Sequence, residues 1–115
     1  MHEAIEFVET SVFTRQIDEL ATDDELRVLQ TELIDQPNKG SLIKGSGGLR
    51  KVRMAASDKG ENGSIRVIYY RQHAQRIYLL LAYPKSHRDT LSASELEALK
   101  ALTRQLKENN HDYFC

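Results

Sequence analysis

The chain has 115 residues, 40% of them hydrophobic and 29% charged, with a net charge of −1 and one cysteine. These values fit one soluble domain with a single core and are not those of a disordered chain. No apolar run reaches the roughly 18–20 residues of a membrane span, and the start, MHEAIEFVET, carries acids where a signal peptide carries bases, so a cytoplasmic protein is expected. Cys115 has no partner for a disulfide or a thiolate metal site. The charge is segregated: residues 1–43 sum to −7, residues 44–76 to +6, and the remainder is neutral. A basic surface on an acidic body suits a polyanion, although Lys and Arg on solvated strand edges give the same arithmetic.

In chain order, residues 3–9 alternate weakly and predict a short strand. Phe13, Ile17 and Leu20 recur at helical spacing and predict a helix over about 11–20. Thr22-Asp-Asp-Glu25 is a capping box opening a second helix, whose apolar stripe is Leu26, Leu29, Leu33 and Ile34 and which Pro37 and Gly40 stop. IKGSGG at 43–48 is a turn. Segments 49–56, 64–71 and 76–83 read as three strands, joined through SDKGENG (57–63) and the tight HAQ segment, so neighbours should run antiparallel. In the first, Val52 and Met54 face one way and Lys51 and Arg53 the other. The third is apolar on both faces and should be central. Ser92-Ala-Ser-Glu95 is a second capping box, with Leu91 and Leu96 placed as a hydrophobic staple, and Leu96, Leu99, Leu102 and Leu106 continue a helix to about 109. The expected fold is α+β: N-terminal helices, a twisted antiparallel sheet and a C-terminal helix on one sheet face, in one domain over 1–115.

No Walker loop, Rossmann fingerprint or HExxH spacing is present. His2, His73, His87 and His111 are scattered, so no metal and no cofactor are expected. The acids sit on helix faces or helix starts, where they favour the dipole. What remains is cationic and phenolic: Lys51, Arg53, Arg66, Tyr70, Tyr83, Lys85, His87 and Arg88, with Lys44 and Arg50 extending the basic stretch as RNA contacts. Metal-free RNA cleavage needs such groups. A 2′-hydroxyl must lose a proton, the phosphorane needs fixed cations, and the leaving 5′-oxygen needs a proton. Arg supplies the clamp but not the base. Solvated strand residues have the same composition. Arg66 has no acid near it in sequence to occupy it.

The runs GSGGLRKVRMAA, GSIRVIYY, IYLLLAYPKS and DTLSASELEALK, in that order over about residues 43–102, resemble the HigB branch of the RelE superfamily of toxins. The resemblance implies a ribosome-dependent endoribonuclease that cuts messenger RNA and inhibits translation. It also implies a cognate antitoxin, expected to be a helix-turn-helix protein encoded by the adjacent gene. By position, Lys51 and Arg53 match the first-strand basic pair, Arg66 the arginine that holds the scissile phosphate, and Lys85 the strand-end lysine. Arg53 stands where the best-known RelE members have a lysine thought to act as base. Ser86 and Ser92 replace an arginine and a tyrosine of those members. Lys51 or Lys85 is then the candidate base, His87 the acid, and Tyr83 a platform stacking a base. The alternatives are a ParE-like toxin, which shares the fold and binds DNA gyrase without catalysis, and a homologue that only binds RNA or its antitoxin.

Overall fold

The computed structural model describes residues 5–56, 63–73 and 75–112. Residues 57–62 of the expected loop 57–63, residues 1–4, Ala74 of the HAQ segment and residues 113–115, Cys115 included, lie outside the described residues. Thr10 caps the first helix by accepting from the Phe13 amide at 3.0 Å. Strand β1 (Glu6–Glu9) therefore passes directly into helix α1 (Ser11–Leu20), whose Phe13 and Ile17 are buried. Helix α2 (Asp23–Asp35) opens on the expected reciprocal box: Thr22 Oγ1 accepts from Glu25 N at 3.1 Å, and Glu25 Oε1 accepts from Thr22 N at 2.9 Å. Four strands follow, β2 (Ser41–Leu42), β3 (Leu49–Ala56), β4 (Gly63–Gln72) and β5 (Arg76–Pro84), then helix α3 (Ala93–Asp112).

The sheet has the order β1-β5-β4-β3-β2. The three strands expected from the alternation pair antiparallel as expected, but β1 joins β5 in parallel, so the sheet is mixed rather than wholly antiparallel. β5 is interior, between β1 and β4, and β4 is the middle strand. The entry turn is held by Ser46, whose hydroxyl accepts from Leu49 N at 3.0 Å and donates to Ile43 O. Gly48, at φ 118, sits against the Tyr70 ring, where a Cβ would lie 3.3 Å from Cε1.

Period-two alternation divides the core between two sheet faces. Val52, Met54, Ile65, Val67, Ile77 and Leu79 pack under α1 and α2. Leu49, Ile68, Tyr70, Leu80, Leu81 and Tyr83 lie on the other face, where Leu96, Leu99, Leu102 and Leu106 of α3 pack against them. Leu80 and Leu81 are consecutive yet share a face. Ile68 pairs with Leu81 and Tyr69 with Leu79, which leaves Leu80 as the extra residue of a β-bulge. Before the bulge, odd-numbered residues of β5 face α1; after it, Ala82 faces α1 and Tyr83 faces the opposite side.

Helix α1 satisfies the backbone groups at the bulge. Pairing with β1 ends at Leu79, and beyond it Thr10 Oγ1 donates to Leu80 O at 2.9 Å while Gln16 Oε1 accepts from Ala82 N at 2.8 Å. Removing the Gln16 amide strands a buried backbone donor, which costs about 1–3 kcal/mol. Gln16→Ala is therefore expected to lower the urea-unfolding free energy by that amount. The exposed neighbour Val12→Ala should stay within about 0.5 kcal/mol of wild type.

Candidate active site

Strand parity and the β5 bulge bring Lys51, Arg53, Arg66 and Tyr83 together on one face. Arg53 of β3 is directly opposite Arg66 of β4, and Arg66 is directly opposite Tyr83 of β5, making a rank across three strands. Lys51 lies two residues from Arg53 on the same face, paired with Ile68. Like charges directly opposed across a ladder are destabilising, so the Arg53–Arg66 pair is a place where an anion lowers the energy. A groove of about 520 Å³ borders Lys51, Arg53 and Arg66 and continues past Ala55 and Ser41 to Lys39, which is paired with Glu32 of α2 at 3.2 Å. It follows the edge of β3 that the two-residue β2 leaves uncovered.

The segment 85–92 folds back over this rank. Asp89 accepts from Arg66 Nε at 3.0 Å through its carboxylate, and its backbone carbonyl accepts from Lys51 Nζ at 3.0 Å and Tyr83 OH at 3.3 Å. Arg66, which has no acid near it in sequence, thus has one in space, 23 residues away: the expectation that nothing occupies it is corrected. The hydrogen bond from Arg66 holds the Asp89 carboxyl below its ordinary range; desolvation opposes it, and the charges of Lys51, Arg66 and Lys85 add to the lowering. It is an anion at neutral pH.

The backbone amides of His87 and Arg88 both donate to Pro84 O, tying the segment to the end of β5. Arg88 lies over the Tyr83 ring, 4.3 Å from its centroid, and makes a bidentate pair with Glu95. Glu95 also accepts from Ser92 N while Ser92 Oγ accepts from Glu95 N, the second capping box expected from the sequence. One carboxylate therefore joins the start of α3 to the segment that covers the site. The Tyr83 ring is buried and covered by Arg88, so it presents its hydroxyl and not a face for a stacked base. Burial raises the Tyr83 pKa, which keeps the phenol protonated at neutral pH.

The other sequence-selected residues lie apart. Arg50 has the opposite parity from Lys51 and donates to Gly40 O at 2.7 Å and Asn38 O at 3.2 Å, bracing the loop between α2 and β2. Tyr70 shares the face of Arg66 but is buried on the α3 side, its ring centroid 6.5 Å from that of Tyr78. Lys44 is exposed in the turn before β3. Lys85 and His87 are exposed in the turn after β5, where the Lys85 amide donates to Ser64 O at 3.0 Å. Asp89 is the residue that reading the sequence missed. Its only sequence signal is a lone acid directly after the cationic run Lys85-Ser-His-Arg88.

Fold and site define a small α+β protein whose sheet carries a cationic, anion-receptive rank braced by the entry to its last helix. The family model described as the RelE toxin of the RelE/RelB toxin–antitoxin system matches residues 9–113, and the chain belongs to the RelE toxin family. It is the toxin side of such a pair, and an antitoxin is its partner. Among the described residues no group of three His, Cys, Asp or Glu is placed to hold a metal ion, and no helix is long and apolar enough to cross a membrane.

The Arg88 guanidinium, ahead of the Ser92 hydrogen bonds, lowers the Glu95 pKa from 4.5 to about 2. Because the folded value is depressed, this stabilisation is fully present above pH 4.5 and is lost as pH falls towards about 2. Glu95→Gln removes it at every pH. Unfolding midpoints of wild type and Glu95→Gln are therefore expected to differ most above pH 5 and to converge between pH 4.5 and 2. A gap independent of pH would remove the ionised Glu95 from the support of the 85–92 segment.

Proposed function

We propose that this toxin is a metal-independent endoribonuclease, of the HigB-like branch, that cuts messenger RNA on the ribosome. The observation that carries the reading is the rank Arg53–Arg66–Tyr83 with Lys51 beside it, around a groove that opens along the sheet edge. Two guanidinium groups and an ammonium on one face fit the charge of a phosphodiester and of the phosphorane it becomes. Arg66 clamps the scissile phosphate, and Arg53 shares the charge. Lys51 or Lys85, whichever has first lost its own proton to become the free amine, takes the 2′-hydroxyl proton and becomes an ammonium, and the 2′-oxygen attacks phosphorus. His87 gives a proton to the departing 5′-oxygen, so the products are a 2′,3′-cyclic phosphate and a 5′-hydroxyl. No cofactor takes part. The Tyr83 hydroxyl, donating to the Asp89 carbonyl, ties the 85–92 segment down beside Arg66.

The ribosome enters through the charge balance and the shape of the surface. A chain of net charge −1 attracts naked RNA weakly at long range. An open groove does not by itself hold an RNA backbone in the bent geometry of in-line attack, whereas a decoding site does. The toxin then acts in the cytoplasm. Its antitoxin, a helix-turn-helix protein from the adjacent gene, covers the basic face or keeps the toxin from the ribosome.

Purified toxin is expected to cleave messages on programmed ribosomes and to leave the bare transcript intact. Arg66→Ala is expected to lower the cleavage rate by about 10²–10³-fold, the scale of a lost transition-state donor, with an unchanged thermal melt. Wild-type cleavage by that variant puts the active site elsewhere, and efficient cleavage of bare RNA removes the ribosome requirement. Gyrase-dependent DNA damage without any RNA cleavage would establish the ParE-like alternative.

A further inference from the structure

We infer that Asp89 is a positioning residue of this site: it holds the Arg66 guanidinium by Nε and the Lys51 ammonium by its carbonyl, so that both cations are aimed before a phosphate arrives. The inference rests on the proposed phosphate chemistry at Arg66 and adds a residue to it.

The geometry of the contact decides between two roles for an acid at this place. A carboxylate that blocks a phosphate clamp would be expected to take the paired Nη nitrogens, the edge that grips an oxyanion in bidentate fashion. Asp89 instead contacts Nε, at 3.0 Å, and among the described residues no protein acceptor is bound to Nη1 or Nη2. An arginine side chain has several rotatable bonds, and ordering it costs rotamer freedom. A contact at Nε removes that freedom while leaving the terminal nitrogens for a ligand. Arg66 is only 16% exposed whereas Asp89 is 56% exposed, so the arginine is confined between sheet and loop and the acid is the wet side of the pair.

Lys51 is fixed differently, by the Asp89 carbonyl at 3.0 Å. A neutral acceptor orients the ammonium without neutralising it. The same carbonyl takes the Tyr83 hydroxyl at 3.3 Å. One residue thus touches three of the four groups on the rank. It can do so because its neighbour Arg88 is bound to Glu95 and lies over Tyr83, and because the amides of His87 and Arg88 are anchored to Pro84 O. The low pKa of the Asp89 carboxyl keeps the Nε contact charge-assisted at neutral pH.

The test is steady-state cleavage on programmed ribosomes by wild type, Asp89→Ala, Asp89→Asn, Arg66→Ala and the Arg66→Ala/Asp89→Ala double variant. Asp89→Ala is expected to lower kcat on the order of 100-fold, the scale of a misaligned reacting group, with KM for ribosomes changed less than about threefold. Asp89→Asn should recover part of the loss, because an amide oxygen still accepts from Nε and the backbone carbonyl is retained. In the Arg66→Ala background, Asp89→Ala should add little, since its effect passes through Arg66. Wild-type or raised kcat in Asp89→Ala, with Arg66→Ala still impaired, overturns the inference and leaves the proposed function standing. Independent, multiplying effects in the double variant also overturn it. A wild type silent on ribosomes, or an Arg66→Ala variant as active as wild type, overturns the proposed function and this inference with it.

Discussion

The site depends on one extra residue in β5. Without the bulge at Leu80, strict alternation would carry Tyr83 to the α1 side of the sheet, and Arg66 would have no phenol beside it. A bulge leaves backbone groups unpaired, and a protein keeps one only where something satisfies them. Here the satisfying groups are Thr10 and Gln16, which α1 presents because β1 runs parallel to β5 and ends at Leu79, one residue before the bulge. The parallel strand, the helix that follows it and the altered register are thus one device. Thr10 serves it twice, accepting from Phe13 to start α1 and donating to Leu80.

A second constraint comes from charge. Arg53 opposite Arg66, with Lys51 close by, opposes folding locally, and among the described residues Asp89 is the acid bound to Arg66. That acid is delivered by a loop whose own stability comes from the start of α3. Glu95 completes the capping box and binds Arg88, and Arg88 roofs Tyr83. The C-terminal helix therefore does more than cover apolar surface: Leu96, Leu99 and Leu102 seat it on the sheet, and its first turn fixes the loop beside Arg66. A substitution on the buried stripe of α3 reaches the site by this route.

Features set by neighbours in sequence were legible. Both capping boxes, the boundaries of α1 and β3, and the shared face of Lys51 and Arg53 follow from residues within four positions of one another. The same parity that groups Lys51 with Arg53 also turns Arg50 away, so its separation from the site was readable in the alternation. The bulge was not readable, because RIYLLLAYP has no polar residue between Tyr78 and Tyr83 to mark which face each side chain takes. The parallel pairing of β1 joins residues 70 positions apart, as Glu6 with Arg76, and four weakly alternating residues do not specify such a partner. Asp89 was hidden for the same reason. Nothing local distinguishes an acid that solvates a turn from one that meets an arginine 23 residues away.

The division of charge also takes on a spatial meaning. The acids of α1 and α2 belong to helices packed on one face of the sheet, and the Lys51–Arg66 group lies on the other. At physiological ionic strength, screening acts over about 8 Å, so a ligand held at Arg66 feels the cations of the rank above most of those acids, Glu32 at the Lys39 end of the groove excepted. A protein of this kind gains little from being drawn to a polyanion and much from holding one phosphate well. Its cations are few and already oriented, which favours a ligand whose own conformation is fixed by something else. On the proposed reading that other body is the ribosome, and the economy of the basic surface, one rank across three strands, is a consequence of leaving the bending of the RNA to it.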